Sequence, residues 1–303
     1  MAKPYLLFRL VPTMRCNRRC TYCFVEEAEK ASASTLFDRR APAEWIAAMR
    51  NFSHYDVEFY CWGGEPFLLD GTYDLVRGWA AYAHVLGGNR LDTNVAFADR
   101  IADRCPTSKV KLNCSWHPQY DSLAQITRKV RRLADLDMVG MLNFVASPIN
   151  LQMLERDCRM SVDDLIAHFD EFGVFVNVAA DFAIVNGTDP ATYVEYKRLL
   201  LRYTCPEDWR QLRCEKQDAF CDANAHFFTI QANGDLTPCL TDRVCGNFFS
   251  GTLTPPPVEP CSARCPSIVA YPFRRDNPFP FRAHLVEYVA RNREYRESLR
   301  SRR

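Results

Sequence analysis

Residues 5–23 read YLLFRLVPTMRCNRRCTYC, an apolar run followed at once by three closely spaced cysteines. Tyr5–Val11 has the aliphatic and aromatic content of a buried strand. Cys16, Cys20 and Cys23 then fall on the loop that leaves it. In β/α barrels the loops at the C-terminal ends of strands carry function. Three thiolates on one tight loop can each face one iron of a cubane and leave the fourth iron without a protein ligand. A structural cluster or zinc site is expected to close with a fourth nearby Cys or His, and this loop contains none. Half of a zinc site, completed from elsewhere in the chain, is the competing reading.

The composition narrows the class. The chain has 303 residues, 48% of them hydrophobic, with Lys+Arg 38 against Asp+Glu 37. That length supports one large domain, or one large and one small, each with its own core. A formal net charge of +1 gives no overall bias toward nucleic acid or membranes. No run of about 18 apolar residues occurs, so no membrane span is expected. Lys3 and Arg9 flank a short apolar run that lacks a small-residue cleavage site, so the N-terminal segment reads as a strand and not a signal peptide. A cytoplasmic protein is expected. Fourteen cysteines in a long chain without an export signal suggest metal binding more than disulfides. They gather at 16–23 and again at 214–265. Cys61, Cys105, Cys114 and Cys158 stand alone and are expected as small buried hydrophobes.

The first two thirds alternates strand-like and helical segments. Tyr5–Val11, Val57–Trp62, Arg90–Val95, Val110–Trp116, Met141–Ala146 and Val174–Phe182 are the six strand candidates. Between them, Pro42 fits the first position of a helix carrying Trp45, Ile46 and Met49. Asp121 is expected to cap a helix striped by Leu123, Ile126, Val130 and Leu133. Ser161 and Asp164 form a capping box, and Gly173 falls just past that helix. Repeated βα units imply parallel strands covered by helices. Six suit a partial (β/α)6 TIM-like barrel, since about 250 residues are typical of eight. Beyond Phe182 a helix is expected over 190–202, then a cysteine-rich stretch. Within it His226–Gln231, the turn Asn233-Gly234-Asp235 and Leu236–Leu240 read as a β-hairpin, and residues 254–261 (TPPPVEPC) as loop. Phe281–Arg300 reads as a final helix. The expected division is a barrel over 1–205, a small hairpin-containing domain over 206–272, and a basic helical segment over 273–303.

CxxxCxxC after the first strand, with aromatic Tyr22 before the third cysteine, resembles the signature of the radical S-adenosylmethionine (radical SAM) superfamily. Gly63-Gly64-Glu65-Pro66 at the end of the second strand resembles that family's GGEP motif, whose backbone binds the cofactor's methionine amino group. Glycines suit close backbone approach. Thr93-Asn94 after strand three resembles a TN step seen in relatives, and Ser115 occupies the place of a serine that contacts the cofactor's carboxylate or ribose. His117 is a weaker match at the same strand end. No adenine-facing motif is recognisable in residues 143–150. The resemblance implies a [4Fe-4S] cluster on Cys16, Cys20 and Cys23 that chelates S-adenosylmethionine. It also implies reductive cleavage to a 5′-deoxyadenosyl radical, hydrogen abstraction from a substrate C–H bond, and a reductant such as flavodoxin or ferredoxin. The protein's part is orientation and exclusion of water.

Cys221-x12-Gly234-x4-Cys239 resembles the opening of the auxiliary-cluster domains called SPASM and twitch. Cys261 and Cys265 offer a second close pair, and four thiolates complete a second [4Fe-4S] cluster with no open iron. No cysteine follows Cys265, which favours the shorter twitch form. Cys245, Cys214 and Cys205 are possible substitutes, and a structural zinc is the competing reading for this group.

Three substrate classes follow. One is a small molecule or nucleoside, oxidised with the auxiliary cluster as electron acceptor or isomerised without it. A second is a ribosomal peptide. The first strand begins at about Tyr5, which leaves no room for a leader-binding domain and lowers this expectation. The third is a base in nucleic acid, suggested by nine arginines against four acids over 274–303 with interleaved aromatics. The non-enzymatic alternative is a zinc-stabilised binding module.

Overall fold

The computed structural model describes residues 3–23, 25, 27–31, 34–105, 108–185, 190–206, 208, 223–238, 242–257 and 281–301. All six expected strands form: β1 (Tyr5–Leu10), β2 (Asp56–Cys61), β3 (Asn89–Thr93), β4 (Val110–Trp116), β5 (Val139–Val145) and β6 (Val176–Ala179). They pair in parallel and in sequence order, each with the next. Alternation sorts their side chains. Leu6, Phe8, Leu10, Val57, Phe59, Leu91, Leu112, Cys114, Leu142, Phe144, Val176 and Val178 join the main core. The opposite parity supplies Arg90, Asp92, Ser115, Asn143 and Asn177 to a cavity on the other face.

Helices α1 (Glu27–Ala31), α2 (Pro42–Ala48), α3 (Asp70–Ala80), α4 (Ala98–Arg104), α5 (Leu123–Ala134), α6 (Pro148–Cys158), α7 (Val162–Asp170), α8 (Phe182–Val185) and α9 (Pro190–Leu200) connect or follow the strands. Pro42 opens α2 and the Ser161–Asp164 box opens α7, as expected. Gly173 follows α7 at φ +72°. Asp121 does not cap α5. Ser122 does, accepting from the Gln125 N–H at 3.3 Å while Gln125 reaches back to the Ser122 N–H. Asp121 is instead drawn into the interior by two cations, Arg18 and Lys129. The sixth strand is also shorter than expected, with Phe182 starting α8. Cys61, Cys105 and Cys114 are buried and Cys158 is half-buried.

The hairpin forms from β7 (Phe227–Ile230) and β8 (Asp235–Pro238), preceded by α10 (Ala223–His226). Gly234 makes its turn at φ +89°, where a Cβ would also strike the Phe249 ring. The strand β7 lies parallel to β1 and pairs with it, Leu7 opposite Phe227 and Arg9 opposite Thr229. The hairpin thus extends the parallel sheet, and β9 (Gly246–Asn247) and β10 (Thr252–Leu253) carry it on in antiparallel pairing. Phe248, fully buried, inserts among Phe8, Trp45, Phe52 and Trp79 and ties this segment to the main core.

The last described element, α11 (Phe281–Arg300), packs on the β6 side. Arg296 donates to the carbonyls of Tyr203 (2.8 Å) and Val176 (2.9 Å), Arg291 pairs with Asp208, and Tyr295 donates to the Leu201 carbonyl. Buried cations need such partners. No helix among the described residues is long and apolar enough to cross a membrane.

Candidate active site

The loop after β1 is held from outside by the loop after β2. Gly64 N–H donates to the Thr13 carbonyl (3.0 Å) and Glu65 N–H to that of Arg15 (2.8 Å). A Cβ on Gly64 would lie 2.1 Å from the Arg15 carbonyl oxygen and 2.4 Å from that of Met14. One on Gly63, at φ +133°, would lie 2.5 Å from the Thr13 oxygen. The missing side chains therefore give room to the cysteine loop itself. This close approach is backbone against backbone.

Glu65 is fully buried and faces the third strand. Its carboxylate accepts from Thr93 Oγ1 (2.9 Å), Asn94 N (2.6 Å) and Phe67 N (3.2 Å). Burial pushes its pKa up to about 7 despite these three donors. Pro66 is the buried first residue of a short 3-10 turn. Neither Glu65 nor Pro66 lines the cavity beside the loop, whereas Gly63, Gly64, Thr93, Asn94 and Ser115 all do.

That cavity measures about 300 Å³ and is bordered by Cys16, Cys20 and Cys23 together with those five residues. Donors gather at the thiols. The Arg18 N–H lies 3.4 Å from Cys16 Sγ, and Asn94 Nδ2 lies 3.6 Å from it. His117 Nδ1 lies 3.2 Å from Cys20 Sγ and 2.6 Å from the Tyr22 hydroxyl. Burial raises Cys16 and pushes Cys20 up to about 11.

Sequence reading missed several residues here. Arg18, 5% exposed, is gripped by Asp121 and stacks over Tyr120, yet its second terminal nitrogen has no partner. A buried cation with an unused N–H beside three thiols suits an anionic group bound among them. Soft thiolates ringed by N–H donors fit an iron–sulfur cluster. Among the described residues no three His, Cys, Asp or Glu side chains converge on one metal position; a cubane, taking one thiolate per iron, does not require that convergence. On the opposite wall Asp92 accepts from Tyr60 (2.6 Å), Arg90 (3.1 Å) and Asn113 (2.8 Å). A second chain runs from the Tyr288 hydroxyl to Asn177 (2.7 Å) and from Asn177 to Asn143 (2.8 Å). Ligand cavities are mostly apolar with a few placed polar groups, so this polar wall suits a polar ligand.

Cys221, Cys239, Cys261, Cys265 and Cys214 lie outside the described residues. Cys245 is half-buried with its thiol 3.1 Å from the Leu236 carbonyl. Cys205 is buried against Asp208, which also holds Arg291 and Asn292 of α11.

No protein-family model and no curated protein matches the sequence. Solved structures match the fold. A structure of anSMEcpe with bound AdoMet gives a TM-score of 0.54 at 15% identity, covering 91% of this chain and 81% of that one. Native anSMEcpe with bound AdoMet and Cp18Cys peptide gives 0.53 at 16% identity, over 90% and 83%. Streptococcus suis SuiB bound to precursor peptide SuiA gives 0.50 at 14% identity, over 82% of this chain and 63% of SuiB. Identities this low establish a shared fold.

Proposed function

We propose that the chain is a radical SAM enzyme built on a partial (β/α)6 barrel. The observation that carries this reading is the meeting of the CxxxCxxC loop and the Gly63-Gly64 loop, backbone to backbone, at one cavity. Cys16, Cys20 and Cys23 would hold a [4Fe-4S] cluster, with Arg18 and Asn94 supplying N–H groups around it. The backbone at Gly63 and Gly64, with Thr93, Asn94 and Ser115, would bind S-adenosylmethionine. Glu65 and Pro66 act behind them, fixing the second loop to the third strand. With both groups bound, the chemistry at the site is reductive cleavage to a 5′-deoxyadenosyl radical that takes hydrogen from a substrate C–H bond. The polar wall of Asp92, Asn143 and Asn177 orients the substrate, and Tyr288 braces it from α11.

Cys221, Cys239, Cys261 and Cys265 would hold an auxiliary [4Fe-4S] cluster in a twitch-like segment following the hairpin. A reductant of the flavodoxin or ferredoxin type supplies the electron. Oxidation or isomerisation of a small molecule remains within this chemistry. A peptide substrate is favoured by the two fold relatives that hold peptides. The nucleic-acid reading loses ground, because Arg291, Arg293 and Arg296 make contacts within the protein.

The test is anaerobic purification with iron, sulfide and zinc measured together, followed by detection of 5′-deoxyadenosine after reduction with S-adenosylmethionine. About eight irons per chain fit two cubanes. Stoichiometric zinc without sulfide would overturn the reading in favour of a zinc-stabilised module.

A further inference from the structure

The three thiols differ in what surrounds them. Cys16 meets the backbone N–H of Arg18 and the Asn94 amide. Cys20 meets a ring nitrogen: His117 Nδ1 lies 3.2 Å from its sulfur and 2.6 Å from the Tyr22 hydroxyl. The two rings lie nearly parallel, 14° apart with centroids separated by 5.9 Å. His117 comes from the end of β4 and Tyr22 from the cysteine loop, so the contact spans two separate elements.

We propose that His117, seconded by Tyr22, is the residue that sets the reduction potential of the cluster, by donating a hydrogen bond to the Cys20 thiolate. The inference rests on the reading that Cys16, Cys20 and Cys23 carry a cluster. A metal-bound thiolate can only accept, so it selects the imidazole tautomer with the proton on Nδ1. With the proton on Nδ1, the Tyr22 oxygen 2.6 Å away accepts a share of that N–H, and its own hydroxyl proton is left to turn toward the same sulfur. Hydrogen bonds to cluster sulfurs withdraw electron density from iron and favour the reduced state. A cluster without them is a stronger reductant that is harder to charge. His117 thus keeps the cluster within reach of a flavodoxin-type donor.

The experiment is an electron paramagnetic resonance redox titration of the anaerobically purified full chain, with iron and sulfide content measured in parallel. Wild type is compared with His117→Phe, which keeps an aromatic ring but no donor, with His117→Gln, which keeps an N–H, and with Tyr22→Phe. The expected result is an unchanged iron content and a more negative potential in His117→Phe. A smaller shift of the same sign is expected in Tyr22→Phe, and a value near wild type in His117→Gln. An unchanged potential in a fully loaded His117→Phe protein would overturn the inference. Loss of the cluster in His117→Phe would also overturn it, by making the residue structural only. Wild-type protein without iron and sulfide would instead defeat the functional reading on which the inference rests.

Discussion

Glu65, at the end of the second strand's loop, accepts the backbone N–H of Asn94 across 2.6 Å. Through that bond the loop that grips the cysteine segment is fastened to the next strand end. A carboxylate in a fully buried position stays bound there because three donors surround it.

The acidity of Glu65 makes this clamp pH-dependent. Burial lifts its pKa from 4.5 to about 7. Between those values the folded protein holds a proton that the unfolded chain has released. The stabilisation is therefore complete below about pH 4.5 and is lost as pH rises through 7, an effect on the order of 3 kcal/mol. Melting temperatures of wild type should fall between pH 6 and pH 8 relative to Glu65→Gln, which cannot titrate. Parallel curves for the two proteins would refute the assignment.

Gly64→Ala tests the grip itself. The new methyl would meet two backbone oxygens, at 2.1 and 2.4 Å, neither of which can swing aside as a side chain would. Overpacking of this kind costs about 1–3 kcal/mol. The loop of Cys16 would be pushed off the second loop. A lower melting temperature together with reduced iron and sulfide content is expected. Full iron loading in Gly64→Ala would mean that the cysteine loop does not depend on this contact.

What could be read beforehand follows a physical line. The cysteine loop, Gly63-Gly64 and Thr93-Asn94 are local patterns at strand ends, and local patterns survive without coordinates. Arg18 could not be found this way, because its partner Asp121 lies 103 residues on. Asp121 also misled as a cap: Ser122 beside it is equally competent, and only the buried cations decide between them. The polar wall was within reach. Arg90 and Asp92 share one parity of β3, and Asn143 and Asn177 stand in otherwise apolar strands. Tyr288 was not, since nothing in a basic helix announces which residue faces a distant cavity.

Asp121→Ala should be among the more damaging single changes outside the cysteines. Its carboxylate, 5% exposed, compensates both Arg18 and Lys129. Removing one partner of a buried ion pair costs about 3–5 kcal/mol, because the remaining charge is left unpaired. Denaturant unfolding should show a loss of that order, while Asp163→Ala, at an exposed pair with Arg202, should stay within about 1 kcal/mol of wild type. Equal effects at the two positions would show that Asp121 carries no special load.

Phe248→Ala asks whether the hairpin segment is part of the parallel-sheet core or an attachment to it. Phe248 follows β9, yet its ring centroid lies 5.3 Å from that of Phe52, 5.6 Å from those of Phe8 and Trp79, and 5.8 Å from that of Trp45, all rings of the main core. Because β7 pairs directly with β1, the strand feeding the cysteine loop, damage here should travel to the site. Truncating a buried Phe costs about 3–5 kcal/mol. If the two are one cooperative unit, Phe248→Ala should lower a single unfolding transition by that amount and speed amide exchange in β1 as well as in β8. Two separate transitions, with exchange in β1 untouched, would instead make the hairpin an independent unit resting on the sheet edge.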